Sequence, residues 1–186
     1  MIMENDLPQS SSNAGISPES GPEALDQIEM SFGVLSRSLL EKNPILDLWR
    51  ISFLANFYNE PFYKTMEENE GISRSEFLVL FCLNSRQGIT AREICLATGR
   101  PRNSVSRAVA RLRKMKLITY SVSEDDRRRK ILQETDQGRA LLDRVVPVAV
   151  ARMKVMMSPL SPKENKELNR LLTKLIRNVP TWAFPE

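Results

Sequence analysis

The chain has 186 residues, a formal net charge of +4, a pI near 9.2, two cysteines and no histidine. The missing histidine removes the usual general base and metal ligand, excluding a Ser-His-Asp hydrolase or a His-ligated zinc site. No run approaches the roughly 18 to 20 unbroken apolar residues of a membrane helix, and no basic-then-apolar leader opens the chain; a cytoplasmic protein without a cofactor is expected. Cys82 and Cys95 each sit within an apolar periodic run and read as small core residues of a reducing compartment, a redox switch being the alternative.

Charge is distributed unevenly. The first 36 residues hold Glu4, Asp6, Glu19, Glu23, Asp26 and Glu29 with no Lys or Arg, whereas the basic clusters lie mostly between Arg100 and Lys130. A polyanion, if bound, is met in the middle of the chain.

In chain order, Met1 to about Pro22 is rich in Ser, Pro, Gly and Asn and cannot bury enough surface to offset its ordering entropy. Residues 1–30 are therefore read as a flexible or disordered tail, with a short helix or arm around Leu25–Leu40. From Pro44 a helix is expected to carry Ile45, Leu48, Trp49, Ile51, Phe53, Leu54, Phe57 and Tyr58 on a wide apolar face. A kink is expected near Phe57, because Pro61 cannot donate the backbone bond of a regular turn. The face exceeds what one helix needs within its own domain, which fits either a subunit interface or full internal burial.

Two capping boxes then open short helices, Ser73 with Glu76 and Thr90 with Glu93. A third helix runs from about Pro101 to Lys116 within GRPRNSVSRAVARLRK. Stepping about 100° per residue puts Val105, Ala108, Val109, Leu112 and Met115 on one face and Asn103, Arg107, Ala110 and Lys114 opposite. Ser106 and Arg111 flank the second face, and no acid interrupts it. A solvated helix ordinarily mixes charge signs to gain i to i+4 pairs; this one does not. Arg107 suits the N7 and O6 of guanine and Asn103 suits adenine, while Ser104, Ser106, Arg102, Arg111 and Lys114 suit phosphate. The period then changes to two. Leu117–Ser123 and Lys130–Thr135 read as strands of a hairpin whose loop carries Asp126, Arg127, Arg128 and Arg129. Two helices close the chain, one with Pro147 inside it and one capped by Ser161 with Glu164. The expected class is mainly α with a small β-hairpin wing, a winged helix-turn-helix.

The segments GISRSEFLVL, NSVSRAVARLRKMKLI and DRRRKILQETDQG resemble the multiple-antibiotic-resistance regulator (MarR) family, over about Leu48 to Leu175. The last matches the family's wing signature through Asp126, Arg128, Thr135 and Gly138. The resemblance implies a bacterial homodimer that binds a palindromic double-stranded operator, more often as a repressor released by a small-molecule effector. It implies one domain over 31–186, with a DNA-binding lobe at 72–135 and helical dimerisation segments at 31–71 and 136–186, the last ending in the aromatic Trp182 and Phe184. It places Arg128 in the minor groove, held by Asp126, with Arg127 and Arg129 toward phosphate. Trp49, Arg50 and Phe53 become candidate liners of an effector cleft. Two residues depart from the family pattern: Lys116 stands where a helix-ending Gly is usual, and Glu134 where a strand Leu is usual. The rival to DNA binding is a winged helix that docks on another protein; an enzyme finds no catalytic constellation to support it.

Overall fold

The computed structural model describes residues 22–122 and 130–183. The chain divides into two compact units, Met1–Ile51 and Ser52–Glu186.

In the first unit, α1 (Pro22–Phe32) and α2 (Val34–Glu41) form a helical hairpin around Gly33. The short helix or arm expected around Leu25–Leu40 is this hairpin, and it begins at Pro22, within the stretch 1–30 also read as tail. The interaction that composition could not reveal is a charge hub: the Arg37 guanidinium binds Asp26 and Glu29 of α1 and Glu41 of its own helix. After it, Asn43 accepts from the Ile45 amide at 2.8 Å, so the expected cap closes a turn one step before α3 (Leu46–Glu70) begins.

Helix α3 continues unbroken through Pro61. The Phe57 carbonyl, four residues earlier, loses its normal donor to the proline ring. Arg152 supplies the replacement, donating from Nη2 to the Phe57 carbonyl at 3.4 Å and to that of Tyr58 at 3.2 Å.

The second unit holds the core. Helices α4 (Arg74–Ser85) and α5 (Ala91–Thr98) start at complete capping boxes, Ser73 with Glu76 and Thr90 with Glu93. Gly99 ends α5 in the left-handed region at φ 64°, as a C-terminal glycine does at little steric cost. Helix α6 (Arg102–Lys114) follows, then β1 (Ile118–Val122) and β2 (Lys130–Glu134), antiparallel with Tyr120 opposite Leu132. Ile89 adds a short bridge to Leu132, its carbonyl accepting from the Leu132 amide at 2.8 Å. This ties the turn before α5 to the wing. Ile72, Leu80, Leu83, Ile94, Val105, Leu112, Leu132 and Leu142 are buried together, so α4, α5, α6, the wing and α7 (Asp136–Met157) share one core. Helix α8 (Pro162–Arg177) has no buried residue, and α9 (Val179–Ala183) is one short turn that the periodicity did not single out.

The helix-to-wing corner accounts for the Thr-x-x-Gly of the wing signature. Thr135 caps α7, accepting from the Gly138 amide at 3.2 Å, and its hydroxyl donates to the Lys116 carbonyl at 2.8 Å. A side-chain Cβ on Gly138 would lie 2.2 Å from the Leu117 carbonyl oxygen, closer than any such contact tolerates. Lys116 takes the left-handed conformation itself, at φ 61°. The Leu117 amide reaches back to Leu112 and the Lys116 amide to Arg113, both at 3.0 Å, which is a Schellman ending made without glycine. Glu134, the second departure, has a side chain with no exposed area. It accepts from Gln87 Nε2 at 3.3 Å and pairs with Arg139 at 3.5 Å, while Gln87 Oε1 accepts from the Glu134 amide.

Candidate nucleic-acid interface

Helix α6 is amphipathic in the sense its wheel predicts. Val105, Ala108 and Leu112 are buried, Val109 and Met115 are half-buried, and Arg102, Asn103, Ser106, Arg107, Ala110 and Lys114 are exposed. Pro101 occupies the N-cap and gives no side-chain cap, and no acid stands in the first turn. The helix therefore presents amide N–H groups and positive dipole together with its cations, an arrangement suited to phosphate.

The structure separates the residues expected at this surface into three groups. Arg102, Asn103, Ser106, Arg107 and Lys114 stand together on the solvent face. Ser104 and Arg111 turn toward the scaffold. Ser104 Oγ lies 2.9 Å from Ser75 Oγ on α4, and Arg100 Nη2 donates to that Ser75 hydroxyl at 3.2 Å. Arg111 pairs through Nε with Glu76 at 3.3 Å and donates to the Gly71 carbonyl at 3.1 Å. Glu76 is buried, and its other oxygen closes the capping box, so one carboxylate fixes both the start of α4 and the flank of α6. A free phosphate ligand was expected of Arg111; the helical wheel shows its angle but not the acid waiting there. Asp126, Arg127, Arg128 and Arg129 lie outside the described residues.

Sequence reading missed three cations near this face. Arg100 precedes the helix, while Arg113 and Lys130 both lie against the Tyr120 ring, at 4.1 and 5.1 Å from its centroid. A periodicity argument treats Tyr120 as an ordinary strand aromatic and cannot see cations drawn from two elements onto one ring.

The effector candidates Trp49, Arg50 and Phe53 all lie on α3. Trp49 and Arg50 are exposed, with Arg50 Nε donating to the Leu40 carbonyl at 3.1 Å, and Phe53 packs on Phe57 with ring centroids 4.5 Å apart. None of the three lines the aromatic cleft of the second unit, a space of about 200 Å³ bounded by Tyr58, Phe62, Tyr63, Phe77 and Phe81 with Met153 and neighbouring residues of α7. Phe77 meets Phe62 edge-on at 5.4 Å and stacks on Phe81 at 5.6 Å. The Tyr58 hydroxyl is already committed to the Ala149 carbonyl at 3.0 Å. Burial raises the pKa of the Tyr63 phenol above its ordinary value of 10.0. The i, i+4 pairs Tyr58/Phe62 and Phe77/Phe81 were the available signal. Burial likewise raises the Cys82 thiol, the reverse of the depressed value that makes a reactive thiolate.

A buried three-helix core, a helix with an acid-free cationic face and an antiparallel hairpin after it define a winged helix-turn-helix protein. Residues 70–129 match the MarR family. The chain is 30% identical over 101 residues to the HTH-type transcriptional repressor NicR of Pseudomonas putida, covering 54% of this chain and 64% of that one. It is also 30% identical over 113 residues to the transcriptional repressor MprA of Escherichia coli, covering 60% of this chain and 64% of that one. It thus spans just under two thirds of these relatives' length. Among solved structures, a MarR family regulator from Silicibacter pomeroyi aligns with a TM-score of 0.66 at 22% identity, over 72% of this chain and 89% of that one. The S. aureus MepR–DNA complex aligns at 0.64 and 22% identity, over 74% and 99%. Bordetella bronchiseptica BpsR, whose DNA binding is regulated by 6-hydroxynicotinic acid, aligns at 0.56 and 23% identity, over 68% and 98%. At these identities the structures establish the fold.

Proposed function

We propose that the chain is a sequence-specific, double-stranded DNA-binding transcriptional regulator that works as a homodimer, as a repressor released by a small aromatic effector. The observation that carries this reading is the exposed face of α6, where Arg102, Asn103, Ser106, Arg107 and Lys114 stand together with no acid anywhere in the helix. Arg107 and Asn103 occupy the first two turns, the part of a recognition helix that meets base edges, while Lys114 lies where a groove wall brings phosphate. The repressors among the relatives support the sign of regulation, and the MepR complex supports DNA as the partner of this fold. Arg128 belongs in the minor groove on this reading, with Asp126 orienting it and Arg127 and Arg129 toward phosphate.

Dimerisation is supported by α8, whose Leu171, Leu172, Leu175 and Ile176 are exposed at helical spacing, next to Trp182 at 65% exposure. An apolar stripe of that kind is unfavourable in water and marks an interface. Two-fold symmetry would set two recognition helices about 34 to 36 Å apart, one DNA turn, and so requires a palindromic site.

The aromatic cleft is the effector site in this reading, since its walls come from α3, α4 and α7 and a planar ring there would shift helices joined to the DNA-binding lobe. BpsR supplies the precedent for an aromatic regulator. A differential affinity of about 1–3 kcal/mol between two states suffices for 5- to 150-fold release.

The deciding experiment is selection of bound duplexes from a random library at about 150 mM salt, where non-specific binding is weak. Enrichment of an inverted repeat with half-sites one turn apart is expected; failure of well-folded protein to enrich any sequence would refute operator binding.

A further inference from the structure

Tyr120 lies on β1 with its ring half-buried, facing the last turn of α6. Its cross-strand partner is Leu132, and Lys130 stands two residues away on the same face of β2, a diagonal that a long side chain can span. Arg113 approaches the ring from the helix, with Cζ 4.1 Å from the centroid, and Lys130 from the wing, with Nζ 5.1 Å away. Both cations are exposed, and neither forms an ion pair with a described residue. Holding two like charges on one ring is favourable to the ring, whose face is electron-rich, but unfavourable between the cations. An anion held by both would relieve that repulsion.

We propose that Tyr120 is a positioning residue that aims Arg113 and Lys130 at one backbone phosphate of the bound duplex. The recognition helix and the wing would then grip the same strand, and the seating of one would restrain the other. The ligand is a phosphodiester, recognised without regard to base. The inference rests on the DNA-binding reading, but assigns to an uncharged strand residue, and to two cations beside rather than on the base-reading face, a role that reading does not contain. The ring supplies the function and the hydroxyl does not.

The test uses the full chain and a mixed-sequence duplex titrated between about 50 and 200 mM salt, because phosphate contacts are independent of sequence and appear in the salt slope. Tyr120→Leu should weaken binding about 3- to 10-fold and flatten the slope by up to about 0.9, the value of one phosphate contact. Tyr120→Phe should behave as the unaltered chain. In an Arg113→Met, Lys130→Met background, Tyr120→Leu should have no further effect, as expected for a residue acting through those two. Circular dichroism melts identify any variant that fails to fold, and the Phe variant keeps the comparison available in that event. An unchanged slope in Tyr120→Leu, an equal defect in Tyr120→Phe, or a persisting effect in the double background would overturn the proposal while leaving DNA binding intact. Absence of binding by the unaltered chain at the lowest salt would remove the DNA-binding reading and this inference with it.

Discussion

Arg107 and Lys114 share the exposed face of α6, yet their positions call for different tasks. Arg107→Ala is expected to cost about 1–3 kcal/mol on the selected operator and to relax one base pair per half-site, whereas Lys114→Ala should weaken all duplexes alike. Competition between operator and random DNA separates the two. Arg111 behaves differently, because its guanidinium is held by Glu76 and the Gly71 carbonyl. Arg111→Ala should lower the melting temperature and alter the salt slope less than Lys114→Ala. Lys116 offers a prediction of opposite sign. A non-glycine residue at φ 61° is disfavoured by contact of its Cβ with the following carbonyl. Lys116→Gly is expected to stabilise the fold by about 1 kcal/mol after the added flexibility of the unfolded chain is counted. A denaturant midpoint shifted upward at unchanged slope would show it.

Among elements, one join of α3 to α7 is made by Glu70 and Arg144, with the guanidinium donating at 2.8 and 3.3 Å. The hydrogen bonds from Arg144 hold the Glu70 carboxyl below its ordinary value of 4.5. The folded state therefore binds that proton less readily than the unfolded chain. The stabilisation is fully present above the unfolded value and is lost as pH falls through the folded one. Thermal melts from neutral pH to below 4.5 should show a decline attributable to this pair that is absent from Glu70→Gln. The wing corner is a second join. Gly138→Ala would push a methyl group into the Leu117 carbonyl and is expected to destabilise by about 3 kcal/mol, in the range of overpacked cores.

At the scale of the molecule, the proposed dimer and its palindromic site are tested through the exposed stripe of α8. Leu172→Glu with Leu175→Glu places charge in the stripe without touching the buried core. Sedimentation should show a dimer for the unaltered chain and a monomer for the variant, with affinity for a single half-site retained and affinity for the inverted repeat lost.

Much of the architecture was legible in the amino acids. The three capping boxes announced α4, α5 and α8, the change from helical to alternating period located the wing, and the wheel of α6 separated buried from exposed residues correctly. These are local properties, set by hydrogen bonds three or four residues apart and by which face of one element is apolar. What only the tertiary structure decided depends on residues distant in the chain. Arg111 met a buried acid on α4, Arg37 gathered three acids around one guanidinium, Arg152 satisfied a carbonyl freed by Pro61, and five aromatics from two helices came to line one cleft. Composition and period determined which surfaces were cationic or apolar. Which partner each side chain took was decided by packing, because an ion pair or a ring contact is fixed by distance in space, and spacing along the chain does not contain it.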